Sequence, residues 1–156
     1  MRTIKLIYDG KSISVMVICQ QDQLMLALSP ETGNLILIQL IEDGECRMGS
    51  VEIARNVEPK GATEVMKFLQ GQIAKEADAR VKAMLSFMKV AFLGRILCRV
   101  GEGDEKMKRW VLRHQELYPE VQEAWKELSS NYSIRDVNKG FSIMKVQKTI
   151  DKMTEN

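Results

Sequence analysis

Apolar and polar residues alternate through the first third of the chain. Beyond Pro59 the apolar positions recur every three or four residues instead. In residues 3–8, Ile4 and Leu6 face one side of a strand, and Asp9-Gly10 follows as a two-residue turn. Asp-Gly suits that place because a type I′ hairpin turn needs positive φ at both central residues. Residues 12–19 return with Ile13, Val15, Val17 and Cys19 on one face, Gln20 to Gln23 turn the chain again, and residues 24–28 form a third strand. Ser29-Pro30-Glu31-Thr32-Gly33-Asn34 is turn chemistry, with proline setting φ and Gly33 and Asn34 tolerating left-handed geometry. The near-continuous apolar run 35–41, LILIQLI, predicts a central strand buried on both faces. After the turn Asp43-Gly44, a fifth strand carries Cys46 and Met48 and then shifts phase to Val51 and Ile53, with Gly49 at the shift as a β-bulge. The pattern predicts an antiparallel five-stranded meander over about residues 2–57.

With the change of period, Thr63 is the expected N-cap of a helix whose stripe is Val65, Met66, Leu69, Ile73 and Ala77. Residues 79–100 are the most apolar segment of their length, with Val81, Met84, Leu85, Met88, Ala91, Phe92 and Ile96 on one face and Leu93 and Leu97 widening it. This is a long apolar central helix that needs cover on most sides. The run 63–99 reads either as one helix or as two with a break near Asp78. Gly101-Glu102-Gly103 ends it and Asp104 caps the next helix, on which Met107, Trp110, Val111, His114 and Tyr118 share a face. Pro119 opens a further helix at its first turn, with Val121, Ala124, Trp125 and Leu128 on its apolar side. Ile143, Val146, Ile150 and Met153 close the chain as a short a/d seam. The fold class is therefore α+β in a single domain, residues 1–156: a sheet over 1–57 with a helical half, about 61–156, packed on it.

At 156 residues, 45% apolar and 28% charged, the chain is long enough for a real core and too apolar for wholesale disorder. Three widely spaced cysteines without a CxxC argue against a disulfide framework and for a reducing compartment. No run approaches the ~20 apolar residues of a membrane span, and the N-terminus shows no signal-peptide apolar region. A cytoplasmic or intravirion location without membrane contact is the expectation. The net charge of +2 hides an uneven distribution. Residues 1–59 carry five basic and eight acidic side chains, 79–115 nine basic and three acidic, and 116–136 two basic and five acidic.

Candidate chemistry is sparse. His114, the sole histidine, lies on the apolar side of an amphipathic helix with no nucleophile motif near it, which reads as a packed histidine rather than a base. Glu42, Asp43 and Glu45 flank a turn, where solvated carboxylates are ordinary. Gly101-x-Gly103 lacks the lysine and hydroxyl residue of a phosphate loop. No metal, cofactor or enzymatic activity is expected.

The feature above background is a basic stripe. Lys106, Arg109 and Arg113 stand at i, i+3 and i+7, with Trp110 at the edge of the stripe, and Lys145, Lys148 and Lys152 repeat the spacing. Cationic groups neutralise phosphates and an indole at the border stacks on an unpaired base, although solvated helix faces carry the same residues. The order of elements, a meander followed by helices, resembles that of Whirly-type single-strand-binding folds over residues 1–77, with no shared motif. The leading expectation is an oligomeric, non-enzymatic module binding single-stranded nucleic acid through these seven residues. The alternative is an oligomeric assembly or adaptor protein, self-associating or holding a protein partner through Phe92 and the Ile143, Val146, Ile150 and Met153 seam.

Overall fold

The computed structural model describes residues 2–114, and every structural statement below concerns these. Five antiparallel strands come first: β1 (Arg2–Tyr8), β2 (Lys11–Gln21), β3 (Leu24–Leu28), β4 (Leu35–Leu40) and β5 (Cys46–Met48), each paired with the next. Four helices follow: α1 (Ser50–Asn56), α2 (Pro59–Lys75), α3 (Ala79–Gly101) and α4 (Glu105–Arg113). The turns are tight because their residues accept left-handed backbone. Asp9, Asp22 and Asp43 all have positive φ, and Asp9 and Asp43 are each followed by a glycine with positive φ. No described helix is long and apolar enough to cross a membrane.

The sheet curls until its edges meet. Ile7, at the end of β1, forms a parallel bridge to Glu45, just before β5. The concave face encloses its own core of Leu6, Val15, Val17, Met25, Ala27, Ile38 and Cys46. The convex face supplies Leu24, Leu26 and Leu37 to a second core built with the helices. A sheet with apolar residues on both faces fits this arrangement, one face filled by curling and the other by helices.

Several details differ from the periodicity. Cys19 does not share a face with Val15 and Val17. A bulge at Ile18 shifts the register between Val17 and Cys19, so Val17 joins the inner core and Cys19 packs on the helical one. The bulge therefore sits in β2, not at Gly49. Gly49, with φ of 91°, instead leads from β5 into α1. Residues 50–57 are thus not the end of a strand. Ser50, Ile53, Ala54 and Val57 are the buried positions, spaced i, i+3, i+4 and i+7, and the two-residue step from Val51 to Ile53 only imitates a strand. The most buried strand is β3 rather than β4, since it has a full partner on each side and both faces covered.

The run 63–99 is two helices, parted between Lys75 and Ala79 where Asp78 caps α3 by accepting from the amides of Arg80 and Val81. α2 begins at Pro59, its N1 position, not at Thr63. The Thr63 hydroxyl lies inside the helix, donating to the Pro59 carbonyl oxygen and accepting from the Trp110 indole. α3 is covered along its second half, where Lys89 to Gly94 and Ile96 to Cys98 are buried, but Arg80, Lys82, Ala83, Met84 and Phe87 in its first half are exposed.

Candidate functional site: an apolar groove beside the third helix

The exposed half of α3 forms one wall of a groove of about 980 Å³, with β4, the β5–α1 junction and the end of β1 as the others. Ala83, Met84, Phe87, Met88 and Ala91 line the α3 side, at helical spacing. Leu35, Ile36 and Met48 line the sheet side, and Val51 lies on α1. Met84 is 37% exposed and Phe87 40%, whereas Phe92 on the same helix is 0% exposed. Isolated exposed apolar residues are ordinary. A contiguous apolar trough with an aromatic on its lip is the usual surface for docking another apolar element.

Polar groups are few and placed at the ends. Glu52 on α1 is held from two directions, accepting from the Tyr8 hydroxyl at 2.9 Å and from the Met48 amide at 3.1 Å. The bond to this carboxylate, with added burial, pushes the Tyr8 phenol above its ordinary value, so Tyr8 keeps its proton and acts as a donor. Arg55 and Arg80 flank the trough. Together the rim side chains give two positive charges against one carboxylate already engaged by hydrogen bonds.

The opposite end of α3 is tied down. Arg99 donates to the carbonyl oxygens of Ala54 and Val57 at 2.8 and 2.6 Å, satisfying the C-terminal end of α1, and to Asp104 at 2.8 Å. Asp104 also accepts from the Met107 amide and so caps α4, as the sequence predicts. That amide bond, followed by the Arg99 guanidinium, holds its carboxyl below the usual range. Arg99 therefore belongs to the internal framework, although it contributes to the basic segment by composition.

The basic stripe divides. Lys106, Arg109 and Arg113 are exposed on α4 beside Lys108, facing away from buried Met107, Trp110 and Val111. Trp110 is corrected: it is 4% exposed, its indole N–H donates to Thr63 at 2.9 Å, and His114 stacks on it with ring centroids 4.5 Å apart. In this position the indole offers no face to a base. Phe92 is likewise a core residue, not an interface residue. Lys145, Lys148, Lys152, Ile143, Val146, Ile150 and Met153 lie outside the described residues.

Catalytic chemistry finds little foothold among the described groups. Burial pushes the Cys19 and Cys46 thiols up, away from the reactive thiolate. No three described His, Cys, Asp or Glu residues cluster closely enough to hold a metal ion. Sequence reasoning missed the groove. Its one legible sign was Met84 and Met88 repeating at i and i+4 in a helix whose charged neighbours, Arg80 and Lys82, already required solvent. Comparison with known protein families, with characterised proteins and with solved structures gives no match.

Proposed function

We propose that this protein is a non-enzymatic assembly or adaptor module that holds an amphipathic helix of a protein partner in the groove between β4, α1 and the first half of α3. The observation that carries this reading is the exposed Met84 and Phe87 wall, at the lip of an apolar trough large enough for one helix face. Helix-in-groove recognition uses apolar anchors at i, i+3, i+4 and i+7, and methionine walls adapt to differing anchors because the side chain is flexible. The rim arginines favour a partner with acidic residues flanking its anchors.

A display library of amphipathic helices, selected on the wild-type protein and counter-selected on Met84→Glu with Phe87→Glu, tests this directly. Enrichment of acidic helices with the four-anchor spacing, lost on the double variant, is the expected result. Both positions are exposed, so circular dichroism of the double variant should match wild type. Absence of any variant-sensitive binder ends the reading.

Binding of nucleic acid is a second reading, favoured by one observation: Lys106, Lys108, Arg109 and Arg113 share the exposed side of α4. With Trp110 buried, the stripe supplies phosphate contacts without stacking. Binding would then fall steeply with salt and show little preference between single and double strands. Fluorescence anisotropy with both kinds of oligonucleotide, on wild type and Arg109→Ala with Arg113→Ala, checks it. No binding at tens of micromolar protein removes this reading.

A further inference from the structure

The described part of the chain ends at His114 with the groove open, and 42 residues follow. Among those residues, the sequence carries the kind of ligand the groove calls for. Pro119 can open a helix at its first turn, and Val121, Ala124, Trp125 and Leu128 then stand at i, i+3, i+4 and i+7. Around them lie Glu116, Glu120, Glu123 and Glu127 against Lys126, a balance of −3 over 116–128. We infer that residues 119–128 of the same chain occupy the groove, with Trp125 against Phe87 and Met84, and that a partner helix must displace them. This rests on the helix-in-groove reading above and adds its regulation.

Three features support the assignment. The anchor spacing of the segment matches the apolar wall Ala83, Met84 and Phe87, itself set at i, i+1 and i+4 on α3. The charges are complementary, an acidic segment facing a rim with Arg55 and Arg80. The tether is short. α4 folds back on α2, as the Trp110–Thr63 bond requires, and so lies alongside α3 rather than beyond its end. The four residues 115–118 add up to roughly 14 Å of reach before the helix begins. A tethered ligand at that range has an effective concentration on the order of millimolar, so even a weak helix competes well against a partner in trans.

The groove carries its own reporters, which makes the test independent of any partner. Radical footprinting of the full chain, read by mass spectrometry, measures the accessibility of Met84, Phe87 and Met88, with buried Met107 as the internal control. In wild type, labelling at Met84 and Phe87 should be several-fold slower than in Trp125→Glu with Leu128→Glu, while Met107 stays unlabelled in both. A synthetic peptide of residues 116–130, added to that variant, should restore protection, and Phe87→Glu in the same background should prevent it. Equal labelling of wild type and variant overturns the inference. If helices selected by display still protect Met84 in that case, the docking groove stands and only its internal occupant is wrong. If neither they nor the peptide protect it, both readings fail. Light scattering separates the remaining alternative: a wild-type dimer that the Trp125→Glu and Leu128→Glu changes convert to monomer places the segment in a second copy's groove and overturns occupancy by the same chain.

Discussion

Phe87 and Phe92 lie five residues apart on α3 and occupy opposite environments. Phe92 is enclosed where α1, α2 and α4 gather around the second half of the helix, while Phe87 stands at the lip of a groove. Their difference is not one of side-chain chemistry. The second half of α3 is pinned by Arg99, which joins the end of α1 to the cap of α4. The first half meets β4 and α1 only across the trough. One helix thus serves as the core of the domain at one end and as a binding wall at the other. Substitutions that treat the two ends alike should separate sharply.

The largest effect belongs to the core end. Phe92→Ala should destabilise the protein by about 3–5 kcal/mol through lost burial and the cavity left behind, whereas Phe87→Ala should stay within about 1 kcal/mol. Chemical denaturation of both variants measures this, and similar losses would mean that the groove wall is covered in the intact chain. Next comes Arg99→Met, which keeps much of the aliphatic stem but orphans two carbonyl oxygens and Asp104. A loss of roughly 2–3 kcal/mol is expected, since hydrogen bonds from a charged group are the stronger kind.

Asp104 gives a smaller, pH-dependent effect at the same end. Its folded carboxyl titrates below the ordinary value, so the folded state binds that proton less readily than the unfolded chain. Its contribution is therefore complete above the unfolded pKa, about 3.9 for aspartate, and disappears as pH falls through the lower folded value. Asp104→Asn should cost about 1 kcal/mol near neutral pH and flatten the acid limb of thermal stability against pH. An unchanged acid limb would assign that slope to other carboxylates. Smallest of all, Arg109→Ala with Arg113→Ala should shift stability by no more than about 0.5 kcal/mol, because both side chains lie on the solvent side of α4. A larger loss in thermal melts would show the stripe to be structural.

Local chemistry accounts for much of the architecture. The hairpin at Asp9-Gly10, the turn at Asp43-Gly44, the cap at Asp104 and the pairing of consecutive strands were legible because each depends on a few adjacent residues and one backbone preference. The change of period near Pro59 likewise places strands before helices, with α1 as the exception. A seven-residue helix offers barely two turns, and Val51 with Ile53 satisfies a strand pattern equally well over that length.

Long-range packing settled the remainder. Ile18 carries no mark of a bulge, yet the bulge sends Cys19 to the opposite face from Val17. Trp110 borders both the apolar and the basic faces of α4 in projection, and it turns inward because Thr63, 47 residues earlier, accepts its N–H. Phe87 and Phe92 belong to one continuous apolar helix in sequence, and periodicity sees no difference between them. Spacing along a helix specifies which residues share a face, since that is fixed by 3.6 residues per turn. It contains nothing about how far a neighbouring element extends along that face, and here α1, α2 and α4 cover the second half of α3 while leaving the groove beside the first.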